Sequence, residues 1–177
     1  MLMTVEELRK YIDTDVDDEV LTFKLSALEL LIRRYTNNNF QKRACRIRAD
    51  IRGGVFMNES LVPFEEGDTI MVSESDLQSD MLAVVTDTSG DTTFLTDSEW
   101  EDEDNVLVTK VVYPSDIKIG AVNLMKWDLE NRDKVGIQSE TISRHSVTYF
   151  NLDGANSAAG YPKALLGFLD LYKKARF

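Results

Sequence analysis

The chain has 177 residues, is 43% hydrophobic and carries a formal charge of −11, a size that suits one compact domain or one domain with an insertion. No apolar run approaches the roughly 20 residues that span a bilayer, and the start, MLMTVEELRK, lacks the basic-then-apolar order of a secretion signal. Cys45 is the only cysteine, which excludes a disulfide within the chain, leaves a zinc site without thiolate partners and makes a reducing cytoplasm the expected setting.

In TVEELRKYI, Thr4 stands three residues ahead of Glu7, a capping-box pattern that predicts a short helix to about Ile12. DTDVDDE then offers Asp15 as the cap of a second helix, with acids in the next turn where the helix dipole favours negative charge. Leu21, Leu25, Leu28, Leu31 with Ile32, and Tyr35 recur at steps of three and four, the strongest helical signal in the chain. Arg33 and Arg34 suit the end of that helix, and the asparagines at 37–39 stop it.

The period then changes. In ACRIRADIR, Cys45, Ile47, Ala49 and Ile51 alternate with Arg46, Arg48, Asp50 and Arg52, which reads as a half-buried strand with a basic outer face and Cys45 as a small core residue. Gly53 and Gly54 turn it. TIMVS, MLAVV, TTFLT and VLVTKVVY follow as short strands separated by acidic turns, which suggests a small antiparallel barrel or sandwich. YPSDIKIG returns the chain to helical spacing, with Pro114 and Ser115 at the start and Ile117, Ala121, Leu124 and Met125 on one stripe. The end, YPKALLGFLDLYKKARF, is expected to be a helix with Pro162 in its first turn.

Charge is segregated. Gly53 to Tyr113 holds fifteen Asp and Glu against the single Lys110, whereas the rest of the chain is slightly basic. A middle block so unlike its flanks reads as an insertion, 41–113, between two parts of a host domain, 1–40 and 114–177. Such a block is unsuited to gripping phosphates, which needs clustered Lys and Arg.

The stretch GIQSETISRHSVTYF holds the only histidine, His145, and resembles an active-site surround. A general base needs a nucleophile and an orienting group in reach. In an extended strand, however, Ser143 shares a face with His145 while Ser146 and Glu140 lie on the other. With no nucleophile elbow, oxyanion loop or second histidine, no enzyme activity is expected. DSEWEDEDN lacks the ligand spacing and central Gly of an EF-hand loop, so a solvated acidic loop is expected there and no metal or cofactor. Ser139 to Phe150 instead mixes polar and apolar residues on both faces, which suits pairing with the edge of another chain or, equally on physical grounds, a plain surface hairpin.

YPSDIKIGAVNLMKWDLENRDKVGIQSETISRHSVTYF, a small-residue loop and GYPKALLGFLDLYKKARF together resemble the head–tail connector (adaptor, or head-completion) proteins of long-tailed bacteriophages. The amino-terminal TVEELRKYIDTDVDDEVLTFKLSALELLIRRYTNNNF is similar to that family's opening helices, and PFEEGDTIMVSES to the β insert of some members. The most specific part is Gly136 through Tyr149 with Gly160, Tyr161 and Pro162. The resemblance implies an α+β chain: a helical bundle carrying an inserted small antiparallel β barrel or sandwich. It implies a structural virion protein, made in the host cytoplasm, that sits at the capsid–tail junction. Its copies form a ring, a dodecamer by the family pattern, under the portal protein and above the next neck or tail-completion protein. DNA passes through the channel without sequence-specific binding, and no membrane is involved.

Expected contacts with neighbouring subunits or the portal are Ser139, Glu140, Thr141, Ser143, Arg144, His145, Val147 and Tyr149 from the polar strand. Tyr172, Lys173, Lys174, Arg176 and Phe177 join them from the basic tail. The alternative reading is an acidic DNA-mimic inhibitor of a nucleic-acid-binding enzyme, which would need carboxylates arrayed like phosphates along an extended surface.

Overall fold

The computed structural model describes residues 1–132, 139–142, 145–148 and 156–175, with the two four-residue segments as backbone only. The chain divides into two compact units, one made of Met1 with Asn39–Tyr113 and the other of Leu2–Asn38 with Pro114–Phe177.

The first unit is a closed antiparallel barrel of six strands: β1 (Gln41–Arg52), β2 (Val55–Met57), β3 (Thr69–Ser73), β4 (Met81–Gly90), β5 (Thr93–Thr96) and β6 (Glu103–Val111). Around the barrel the order is β1-β2-β5-β4-β3-β6, and β6 pairs back onto β1. Closure depends on β1, which is long enough to pair with both neighbours and is bent by irregularities between Gln41 and Arg46 and between Ala49 and Ile51. Gly53 and Gly54, both at positive φ, make the two-residue turn from β1 to β2 that matches the strand twist. The alternate residues Ala49, Ile51, Phe56, Ile70, Val72, Ala83, Val85, Phe94, Val106 and Val108 point inward and fill the interior with Phe64. Phe56 stacks on Phe94 at 4.7 Å, and Phe64 and Trp100 meet these rings edge-on at 5.4 and 5.3 Å. The interior is therefore packed side chains and no channel.

The second unit holds α1 (Val5–Arg9), α2 (Asp18–Thr36), α3 (Ser115–Asn131) and α4 (Lys163–Leu166), which runs into a 3-10 helix, Gly167–Tyr172. The α1 capping box is present: Thr4 Oγ1 accepts from Glu7 N at 3.1 Å, and Glu7 Oε2 accepts from Thr4 N. The cap of α2 is Asp17 rather than Asp15, and Asn37 ends that helix in the left-handed conformation. Leu21, Leu25, Leu28 and Ile32 of α2 and Ile117, Ala121, Leu124 and Met125 of α3 are buried. Leu2, Leu8, Leu166 and Leu169 are buried in the same unit. Gly120 lies under the Phe168 ring, where an added Cβ would fall 2.2 Å from ring carbons, so the bare backbone there lets the 3-10 helix dock.

This corrects the expected fold class. A helical bundle carrying a small barrel or sandwich is not what the chain forms; it is a mixed protein whose most regular body is the closed barrel. Only α2 and α3 are long enough to bury a stripe. The terminal stretch, expected as one helix, yields a single α turn before Gly167 and then tighter 3-10 geometry that stops at Tyr172.

Of the two arrangements open for the polar stretch, the hairpin is the one present. It is two strands, β7 (Ser139–Ile142) and β8 (His145–Thr148), paired antiparallel with Ser139 opposite Thr148 and Ile142 opposite His145. A second small hairpin, β9 (Ser157–Ala158) and β10 (Tyr161–Pro162), turns at Ala159 and Gly160, both at positive φ.

Candidate functional site

The end of α3 at Arg132 and the β9–β10 turn at Gly160, which flank the β7–β8 hairpin in sequence, are brought together, and this junction is termed the stem. The stem is tied by one carboxylate. Asp128, on the inner side of α3, is only 8% exposed, so its charge needs partners. Lys24 Nζ from α2 donates to Oδ2, Arg132 Nε donates to Oδ1 at 2.6 Å, and Tyr161 Oη donates to the same oxygen at 3.3 Å. Arg132 and Asp128 are four residues apart on one helix face, the spacing that lets such a pair meet.

The Arg132 guanidinium also lies 5.2 Å from the Trp127 ring centre and 4.8 Å from that of Tyr161. Its Nη1 donates to the carbonyl of Gly160 at 3.0 Å. One arginine thus holds the outgoing helix and the returning turn together. Burial opposes the charge on Asp128, but the hydrogen bonds from Lys24 and Arg132 outweigh it and hold the carboxyl below its ordinary range. Burial and the neighbouring Asp128 charge push the Tyr161 phenol up.

The β7–β8 hairpin pairs only with itself: among the described residues no strand lies on the outer edge of β7 or of β8. A lone two-stranded sheet is marginal in water and leaves rows of backbone donors and acceptors for another strand. Of the expected contact residues, Ser139, Glu140, Thr141, His145 and Val147 lie in this hairpin, and Ser143, Arg144 and Tyr149 lie outside the described residues. The register sets His145 across from Ile142, and Glu140 across from Val147.

The tail residues lie elsewhere, against the end of α2. Tyr172 Oη donates to Asp116 at 2.7 Å, which raises the phenol's pKa, and Lys173 Nζ sits 4.3 Å from the Tyr35 ring centre and 2.7 Å from Asp170. Lys174 N donates to the Thr36 carbonyl at 2.8 Å, Asn38 Nδ2 to the Tyr172 carbonyl at 3.2 Å and Asn37 Nδ2 to the Ala175 carbonyl at 3.0 Å. These contacts dock the tail as far as Ala175; Arg176 and Phe177 lie outside the described residues.

Part of the acidic block is occupied with barrel turns. Asp102 Oδ1 accepts from Gly53 N at 2.6 Å, Asp104 pairs with Arg52, and Glu103 accepts from Ser75 Oγ and Asp76 N at 2.6 Å each. Arg48 on the outer face of β1 pairs with Glu74, and Lys110 with Asp68 at 2.5 Å. Among the described residues no group of His, Cys, Asp or Glu is arranged to hold a metal ion. Cys45 is partly buried and packs against the barrel core.

Sequence reasoning missed the Asp128 cluster altogether, although WDLENR carries a signal: an acid inside an apolar helical stripe with an arginine one turn on and an aromatic beside it. No protein-family model matches the chain, and no curated protein matches it.

Proposed function

We propose that the chain is a structural head–tail connector subunit that joins copies of itself into a ring at a phage portal and passes the assembly on to the next neck or tail component. The observation that supports this reading is the β7–β8 hairpin, which among the described residues has no strand on either outer edge. Open strand edges are a device for adding a strand across a subunit boundary, where each net hydrogen bond contributes about 0.5–1.5 kcal/mol. Of the motifs that carry the resemblance, the described part of Gly136–Tyr149 forms this hairpin, and Gly160–Pro162 lies in the stem's β9–β10 turn.

The DNA-mimic alternative has less behind it. Asp102, Glu103 and Asp104 are engaged in holding turns of a compact barrel rather than forming an extended row.

The test is assembly with the portal protein, followed by sedimentation and electron microscopy. Thr141→Pro and Val147→Pro each remove a backbone donor from the hairpin. Both are expected to abolish ring formation while circular dichroism of the subunit stays that of the parent. Rings formed equally well by both variants would refute the reading.

A further inference from the structure

Helix α2 has a second apolar row. Val20, Phe23, Ala27 and Leu30 follow one another at steps of three, four and three, the seam spacing of a helix made to meet another helix. At 100° per residue this row lies roughly opposite the buried row Leu21, Leu25, Leu28 and Ile32. Val20 is 44% exposed, Leu30 45% and Phe23 71%, so the row is not core. One further step of four reaches Arg34, which is exposed, as is Glu19 beside Val20. Neither Glu19 nor Arg34 has an ion pair among the described residues.

We infer that this face is a self-complementary interface, and that its occupant is α2 of a second copy of the chain, antiparallel across a two-fold axis at Ala27. Three observations select that occupant. The helix is acidic at its start (Asp17, Asp18, Glu19) and basic at its end (Arg33, Arg34), so the antiparallel arrangement sets Glu19 of each copy beside Arg34 of the other and opposes the two helix dipoles. A hollow lined by Ala27, Leu30, Leu31, Arg34, Tyr35 and Ala159 lies along the helix from Phe23. The axis at Ala27 sets residue 23 of one copy against residue 31 of the other, so each Phe23 enters the other copy's hollow. Alanine at the crossing point lets the backbones approach. An unrelated partner would give no reason for the knob, its socket and both charge signs to share one helix in mirror order.

One helix pair of this length covers less than the roughly 1,200 Å² of a stable complex, so the dimer is weak and dissociates on dilution. A cyclic ring has no two-fold axis between neighbours. On the connector reading, the pair therefore belongs to the unassembled chain and opens when the ring forms. The test below uses no portal, so its result is independent of that reading.

Sedimentation velocity of the full chain from micromolar to sub-millimolar concentration is expected to show monomers converting reversibly to dimers. Phe23→Asp is expected to stay monomeric throughout, with unchanged circular dichroism because the residue is exposed. Arg34→Glu alone and Glu19→Arg alone each set like charges together twice, and each is expected to weaken the dimer by about tenfold. An equimolar mixture of these two variants restores both attractions and is expected to dimerise as the parent does. A parent that remains monomeric, or a Phe23→Asp variant that dimerises like it, overturns the proposal. A mixture no better than its components overturns the two-fold pairing.

Discussion

Replacing Asp128 by Asn keeps the side chain's shape and removes the charge on which the stem converges. The change costs two charge-assisted hydrogen bonds, from Lys24 and from Arg132. Such bonds contribute about 1.5–3 kcal/mol each. Two effects offset part of that. The desolvation of the carboxylate disappears, and the side chains of Lys24 and Arg132, 32% and 38% exposed, can turn to water. The net cost should be about 2–3 kcal/mol, below the 3–5 of a fully buried broken pair. For a chain of this size that lowers Tm by roughly 5–10 °C. Hydrogen exchange is the discriminating assay: amides at 156–162 and in α3 should lose protection while those of β1 and β6 do not. The pH dependence has a fixed sign. The folded carboxyl titrates below its ordinary value, so its contribution is complete above that value and is lost as pH falls through the folded pKa. The parent should therefore lose stability with acid more steeply than Asp128→Asn. A variant within about 0.5 kcal/mol of the parent with the same acid limb would refute the reasoning.

Gly120→Ala should destabilise by about 1–2 kcal/mol in urea melts, because displacing the Phe168 ring costs more than the roughly 1 kcal/mol of helix propensity gained; a stabilised variant would show that the ring moves freely. Trp100→Ala removes an edge contact to Phe56 and the hydrogen bond from Nε1 to Thr96 Oγ1 at 2.7 Å, and should cost the barrel about 2–3 kcal/mol. Trp127 then remains as a fluorescent reporter of the helical unit, whose transition should follow the barrel's because the folded barrel closes the loop between α2 and α3. Truncation after Leu171 removes the Tyr172–Asp116, Lys173–Tyr35 and Lys174–Thr36 contacts, so it should lower stability by about 1–3 kcal/mol while the chain still folds. A truncated chain as stable as the parent would show that the docked tail contributes nothing.

Local signals in the chain were the readable ones. Thr4 and Glu7 announce their cap, Leu21 to Ile32 announce α2, and the alternation from Cys45 to Ile51 announces β1, because each pattern is set by neighbours within a few residues. Barrel closure was not readable, since it depends on β1 meeting β6, a pairing between distant strands that leaves no periodic trace. The sequence left a single strand and a surface hairpin equally open for Ser139 to Phe150, because no Gly or Asn within it marks where one strand would end and the next begin. The terminal helix was overcalled: KALLGFLDLY has apolar spacing, but Gly167 interrupts the helix, and Phe168 packs on Gly120, a partner remote in sequence. Asp128 escaped notice because its partners Lys24 and Tyr161 come from remote parts of the sequence.

Where the barrel joins its host, the two chain ends are held side by side: Val112 N donates to the Phe40 carbonyl at 3.0 Å, and the Phe40 and Tyr113 rings lie 4.9 Å apart. Lys24 and Asp128 are 104 residues apart in sequence, and closing so long a flexible loop costs on the order of 4 kcal/mol. Most of that loop is the barrel. Once its β1–β6 ladder has formed, α2 and α3 are joined by what is in effect a short connection, and the search for their contact becomes local. Folding is thereby ordered in time, the barrel ahead of the helices, and pulse-labelled exchange should find the amides of β1 and β6 protected before those of α2 and α3.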